Sequence, residues 1–199
     1  VLDVGNPVAA LNLLNDKNDW YKVLLNMYSE VKLMDGLKYK LNVGVTGTEY
    51  QQESTRKAYD VGTFYHNQYN TNYMQSGLTK YWQLENTLSY VKTFAEKHSI
   101  NAVIGQTSYS ENYSWFSAAK EGMPNGIWSM SAGTTNPASS SSSSENTMTS
   151  YLGRVIYSFD NRYIFTGTFR RDGSSRFSKA NRWGNFPSLS AAWNVANES

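Results

Sequence analysis

Residues 161–193, NRYIFTGTFRRDGSSRFSKANRWGNFPSLSAAW, carry the reading of this chain. Tyr163, Phe165, Gly167 and Phe169 alternate with Thr166, Thr168 and Arg170, the period of two that belongs to a strand with unlike faces. A charged turn at Asp172-Gly173 follows, then the glycine–aromatic turn Asn181-Arg182-Trp183-Gly184, then a strand from Phe186 to Val195.

Working outward, the same alternation recurs upstream. Residues 149–159 set Tyr151, Val155, Tyr157 and Phe159 against Ser150, Arg154 and Ser158, and turn at Asp160-Asn161-Arg162 into the quoted stretch. Tyr21, Val23, Leu25, Met27, Val31 and Leu33 oppose Lys22, Asn26, Glu30 and Lys32. A tight turn at Asp35-Gly36 then leads into Leu37, Tyr39, Leu41, Val43 and Val45. A further hairpin runs over residues 79–94, turns at 95–99 and returns over 100–113. The connections after the first, third and fifth strands are short, and those over residues 50–78, 114–148 and 172–185 are long. Short turns at one rim and long loops at the other is the asymmetry of outer-membrane barrels. Tyr39, Tyr90, Phe94, Tyr157, Phe159 and Tyr163 lie near the short turns, where an interfacial aromatic girdle belongs.

The words Phe169-Arg170-Arg171-Asp172-Gly173-Ser174-Ser175-Arg176-Phe177, Asn181-Arg182-Trp183-Gly184 and Phe186-Pro187-Ser188 closely resemble the barrel of SusC/RagA-type TonB-dependent outer-membrane transporters. Asn6-Pro7-Val8-Ala9-Ala10-Leu11 and Gly122-Met123-Pro124-Asn125 are weaker echoes. The resemblance implies an all-β fold of antiparallel up-and-down strands forming part of a large transmembrane barrel. All 199 residues would then be one barrel segment of about seven strands, internal to a longer chain. The plug and the TonB-contacting segment are expected elsewhere. It further implies outer-membrane import of oligosaccharides or peptides with a SusD-like surface lipoprotein, energised through TonB, and contact with outer-membrane lipid.

Composition sets exclusions. A net charge of +2, with basic residues scattered among acids, gives no nucleic-acid stripe. The absence of cysteine excludes disulfides and thiolate metal sites, and no window reaches the roughly 20 apolar residues of a spanning helix. Aromatics at 15% with 15 Tyr suit strands whose rings meet both an apolar phase and water. Nothing points to a cofactor, a metal or a catalytic group. A β-type enzyme would require His66 or His98 to meet a carboxylate in space. A soluble carbohydrate-binding β domain is the other alternative, because period two alone does not say which face meets lipid.

Candidate contact residues are the loop aromatics Phe64, Tyr65, Tyr69 and Tyr73 in the first long loop and Tyr113, Trp115, Phe116 and Trp128 in the second, whose rings stack on sugars, grip peptides or pack the loops. The second set is Arg170, Arg171, Asp172, Gly173, Arg176, Trp183 and Gly184. There the arginines either meet outer-leaflet phosphates or a partner, or Asp172-Gly173 turns the chain while Arg171 and Arg176 neutralise carboxylates and brace the loop. The run Ser139–Ser144 is expected to be a mobile, unpacked loop segment, and residues 6–14 a short helix capped by Asn6 with Pro7 at its first position.

Overall fold

The computed structural model describes residues 7–60 and 66–198. The helix α1 (Pro7–Leu13) leads into β1 (Leu14–Met34), β2 (Leu37–Arg56), β3 (Tyr59–Asp60), β4 (His66–Asn67), β5 (Thr71–Phe94), β6 (His98–Glu121), β7 (Thr135–Phe159), β8 (Tyr163–Ser174) and β9 (Trp183–Trp193). A seven-stranded sheet runs in the order β1-β2-β5-β6-β7-β8-β9, each long strand beside its sequence neighbour, and β3 and β4 form a separate two-stranded ladder. Pro7 opens α1 as expected; the capping role assigned to Asn6 lies outside the described residues. Among the described residues no helix is long and apolar enough to cross a membrane, which leaves strand crossing untouched.

Contacts divide the chain into two units. One comprises Val1–Val23, Gly47–Thr79 and Tyr113–Ser144, the other Leu24–Thr46, Lys80–Asn112 and Glu145–Ser199.

The strands of the second unit explain the alternation. Residues paired across an antiparallel ladder share a face, and β7, β8 and β9 are in continuous register. One face carries the rows Gly153–Phe169–Pro187, Val155–Gly167–Leu189, Tyr157–Phe165–Ala191 and Phe159–Tyr163–Trp193. The other carries Ser150–Asp172–Gly184, Leu152–Arg170–Phe186, Arg154–Thr168–Ser188, Ile156–Thr166–Ser190 and Ser158–Ile164–Ala192, polar at most positions. The apolar face is not covered. Leu189 is 88% exposed, Phe165 52% and Val155 50%, and across all the described residues the only buried hydrophobic side chain is Met123. A sheet that folds by burying a layer against another layer hides such a face; this one presents it.

The short-turn rim is built without glycine at two of its hairpins. Ala95 and Glu96 have φ of 47° and 59°, and Asp160 and Asn161 have 50° and 53°, the paired left-handed conformations that a right-twisted hairpin needs. At the Asp35-Gly36 turn glycine is required, because its φ is +77° and an added Cβ would lie 2.3 Å from the Val91 carbonyl oxygen. The register puts Tyr157, Phe159, Tyr163 and Trp193 together at this rim. The His98 ring stacks on Phe94 at 5.2 Å, and its Nδ1 meets the Tyr157 hydroxyl at 2.7 Å. His98 and Trp193 thus lie with the aromatic residues expected near the short turns.

Beyond β9 the Glu198 carboxylate accepts from the Tyr163 hydroxyl at 2.9 Å and from the Trp193 indole N–H at 3.3 Å. These bonds, the tyrosine's first, hold its carboxyl below the ordinary range. A carboxyl depressed in the folded state stabilises above its unfolded value and loses that contribution as pH falls through the folded value. Acidification below the usual glutamate range is therefore expected to release this clamp. In Trp193 fluorescence the acid transition should disappear in Glu198→Gln.

The connections differ from the sequence reading in one systematic way. Much of what looked like loop is strand: β2 continues to Arg56, β5 begins at Thr71, β6 continues to Glu121 and β7 begins at Thr135. The serine run, expected as a mobile loop, lies within β7 with its residues exposed. Backbone ladder bonds need no apolar side chain, so a small polar strand can extend into water without an alternating pattern. The remaining long-side connections are residues 57–70, 122–134 and 175–182, against 35–36, 95–97 and 160–162 at the short rim.

Candidate functional site

The polar face of the second unit is a prepared surface. In β5 the Tyr81 hydroxyl donates to Gln83, whose amide donates to Glu85 at 2.6 Å; Asn42 of β2 donates to the other Glu85 oxygen at 3.1 Å. Tyr81 packs against Tyr109 of β6 at 5.6 Å between ring centroids. Arg170 reaches this face from β8. Its Nε bonds both Asp172 oxygens at 2.7 and 2.9 Å, and its terminal nitrogen reaches the Ser150 hydroxyl at 3.5 Å. Tyr81, Gln83, Glu85, Tyr109, Ser150 and Arg170 line a depression of about 460 Å³. Fixed side chains with unused donors and acceptors suit passage or weak binding of a polar cargo better than bond-making chemistry.

This geometry corrects the expected role of the arginine loop. Asp172 and Gly173 make no turn; they pair with Gly184 and Trp183 inside the β8–β9 ladder, and the chain turns beyond Ser174. The bracing arginine is Arg170, not Arg171. Arg171 instead holds its guanidinium 4.9 Å from the centre of the Trp183 ring, and Trp183 stacks on Tyr151 at 6.1 Å. Among the described residues neither Arg171 nor Arg176 has a carboxylate partner. Gly173 is the floor under the Trp183 ring, since a Cβ there would approach it to 2.8 Å, and Gly184 leaves similar room for Phe186 at 2.9 Å. Ser175 ties the connection to β7, its N–H donating to the Thr147 carbonyl at 2.9 Å while its hydroxyl accepts from the Thr147 N–H at 2.8 Å.

In the first unit, Asn70 joins the connection after β2 to the Gly122-Met123-Pro124-Asn125 word. Its Oδ1 accepts from the Ala58 N–H at 2.7 Å, and its Nδ2 donates to the Met123 carbonyl at 2.8 Å and to Asn125 at 2.9 Å. Asn72, also buried, donates to the Trp128 carbonyl. Gly122, at φ +74°, turns the chain where an added Cβ would lie 2.3 Å from the Thr134 hydroxyl. The same unit holds an aromatic platform. Trp20 stacks on Tyr50 at 5.1 Å, and Tyr50 lies over Gly77, where a Cβ would come within 2.1 Å of the ring. Tyr73 donates to Gln75 at 2.6 Å, Gln75 donates to the Tyr50 hydroxyl at 2.5 Å, and Tyr113 is 3.4 Å from that hydroxyl.

Of the aromatic candidates, Phe64 and Tyr65 lie outside the described residues. Tyr73 and Tyr113 meet on the platform through Gln75 and Tyr50. Tyr69 is partly exposed in the first connection, and Trp128 is half-buried in the second. Trp115 and Phe116 are consecutive in β6 and point to opposite faces, so they do not share one contact surface. Trp20, Tyr50 and Gln75 were missed because their strands continue past the alternating segments. Of the histidines, His98 meets a phenol and not a carboxylate. His66 stands opposite Asp60 in the β3–β4 ladder, both exposed. Among the described residues no group of His, Asp or Glu side chains is arranged to hold a metal.

No protein-family model matches the chain. It is 31% identical to the TonB-dependent receptor SusC of Bacteroides thetaiotaomicron over 97% of this chain, and 33% identical to TonB-dependent receptor P3 of Formosa agariphila over 98%. It covers 19% and 20% of those proteins, so it spans about a fifth of the length of the curated relatives it matches. In fold it is similar to a chain of the solved RagAB peptide transporter, with a TM-score of 0.88 at 20% identity over 95% of this chain and 21% of that one. The RagAB peptide importer in its 'open-open' state matches equally, at 0.88 and 20% over the same shares. With the sheet order and the exposed apolar face, these likenesses make the antiparallel up-and-down sheet part of a large transmembrane barrel fold, and nearly the whole chain is homologous to the TonB-dependent receptors SusC and P3.

Proposed function

We propose that residues 1–199 form a wall segment of an outer-membrane, TonB-dependent importer of oligosaccharides or peptides. The observation that carries this reading is the sheet of β7, β8 and β9, whose apolar face stands exposed while its opposite face is mostly polar and carries Arg154, Arg170 and Asp172. A soluble carbohydrate-binding β domain with the same alternation would bury the rows around Val155 and Phe165 in a core. In a bilayer the arrangement inverts, with apolar side chains toward lipid and the polar face toward the lumen. Import fits relatives named TonB-dependent receptors and a fold shared with a peptide importer. Energy then comes through TonB, and the segment contributes surface and not catalysis. A SusD-like lipoprotein would meet the long-side connections, which include Tyr69 and Trp128. Cargo would meet the Trp20–Tyr50–Tyr73–Tyr113 platform, where flat rings flank bonded hydroxyl and amide groups.

The test is uptake by cells carrying the full-length receptor. Fluorescent neutral oligosaccharides or short peptides should enter, uptake should stop when an uncoupler collapses the proton gradient, and a surface lipoprotein should co-purify. Trp20→Ala should lower uptake several-fold if the platform touches cargo, by loss of about 1–3 kcal/mol of stacking and burial. Uptake of neither class, or uptake indifferent to the uncoupler, contradicts the reading.

A further inference from the structure

We infer that Arg171, held over Trp183, is a seat for the phosphate of a phosphorylated outer-leaflet lipid. The inference rests on the membrane-wall reading and adds a residue and a ligand chemistry to it.

Three observations converge. The first is position on the apolar face. Arg171 shares that face with the rows beginning at Gly153 and ending at Phe159, and it stands in the next row outward, Tyr151–Arg171–Asn185. Below this row the face holds no charged residue as far as the short-turn rim; above it come Thr149 and Gly173 with Trp183. A hydrogen-bonded ladder crosses β5 and β6 toward the same level. Asn86 donates to Gln106 at 2.9 Å, Gln106 donates to Ser108 at 2.7 Å, and Ser108 is 3.2 Å from the Thr149 hydroxyl. Amides in a lipid-facing position are tolerated where they satisfy one another or where hydrocarbon gives way to head groups. Taken along the strand, Tyr151 to Phe159 extends roughly 26 Å at about 3.3 Å per residue. A tilt of about 40° leaves roughly 20 Å of height, close to the band of about 25 Å that faces hydrocarbon in such barrels. Arg171 therefore sits where head-group phosphates lie.

The second observation is that the cation is held and unspent. Arg170, its neighbour in sequence, is on the opposite face and bonded to Asp172. Arg171 has no carboxylate partner among the described residues, yet its guanidinium is fixed over an indole that is itself stacked on Tyr151. Stacking on one face leaves the in-plane N–H fork free to bind phosphate oxygens bidentately. The third is charge. The adjoining connection, residues 175–182, carries Arg176, Lys179 and Arg182 and no acidic residue. An unbalanced cationic collar beside the hydrocarbon border favours an anionic head group. A neutral glycan or a zwitterionic lipid would have no use for that excess.

The full-length receptor, purified in detergent, would be titrated with diphosphoryl lipid A and with lipid A stripped of both phosphates, and bound lipid counted by native mass spectrometry. Wild type should prefer the diphosphoryl form, and Arg171→Gln should weaken its binding on the order of 10-fold. Arg171→Lys, which keeps the charge but loses the fork, should fall between them, and Arg170→Gln should match wild type. Heat-modifiable migration on a gel reports barrel closure for every variant. If Arg171→Gln does not close, the Arg171→Lys and Arg170→Gln comparison decides. Equal affinity for the two lipids, or equal losses in Arg170 and Arg171 variants of closed barrels, overturns the assignment. A wild-type receptor that never shows the heat-modifiable form fails the membrane-wall reading instead.

Discussion

Val155→Arg is expected to destabilise the folded receptor in the membrane strongly, while Thr166→Arg leaves its stability nearly unchanged. The two positions belong to neighbouring strands and differ in face. Val155 shares its row with Gly167 and Leu189, midway down the apolar face, and Thr166 shares its row with Ile156 and Ser190 on the other. Arginine at the bilayer midplane of a barrel's lipid face costs about 2–4 kcal/mol. Arg154 already occupies the polar face beside Thr168, so a second cation there meets solvent and existing polar groups. Its effect should stay within about 0.5 kcal/mol. Urea titration of the folded receptor in phospholipid vesicles measures both. Equal destabilisation of the two variants would mean that the faces do not differ in what they meet.

The second large effect is expected at Asn70. Its side chain makes three hydrogen bonds that join residues 57–70 to the Gly122-Met123-Pro124-Asn125 turn. It is only 7% exposed. Asn70→Ala leaves the Ala58 N–H and the Met123 carbonyl without these partners, and a buried group that loses its hydrogen bond costs about 1–3 kcal/mol. The loss should be local, because loops open in units below the global transition. Hydrogen exchange over residues 57–70 and 122–134 should accelerate on the order of 10- to 100-fold, following the same 1–3 kcal/mol, with little change in β7 and β8. Asn70→Asp keeps the acceptor for Ala58 and loses the two donated bonds, so its exchange should be intermediate. Protection unchanged in Asn70→Ala would show that the two connections are held by other contacts.

The fold was legible where strands have unlike faces. The alternation over residues 149–169 placed both partners of β7 and β8 and the turn between them, and the structure pairs Phe159 with Tyr163 around that turn. It was illegible where a strand lacks an apolar stripe. The serine run of β7 and the ends of β2, β5 and β6 have no apolar stripe to read, and their ladder bonds come from the backbone. The candidate site shows the same limit. Tyr73 and Tyr113 were visible as aromatic residues, but Tyr50 and Trp20 matter because Gly77 lets one ring lie flat and the other stack on it. No local spacing reports a glycine on the neighbouring strand. The arginine word was recognised as a unit, yet the roles within it were misassigned. Treating Asp172-Gly173 as a turn hid the alternation that sends Arg170 and Arg171 to opposite faces.

The face carrying Val155, Phe165 and Leu189 is expected to meet lipid. The chain contains no cysteine, so single cysteines can be placed at Val155, Leu189, Thr166 and Ser190 in the full-length receptor, with any cysteine elsewhere in it removed. Each would carry a nitroxide label, and collision with oxygen, which partitions into hydrocarbon, would be compared with collision with a water-soluble nickel chelate. The expected result is oxygen-dominated relaxation at Val155 and Leu189 and chelate-dominated relaxation at Thr166 and Ser190. Chelate access at Val155 and Leu189 equal to that at Thr166 and Ser190 would contradict a lipid-facing wall.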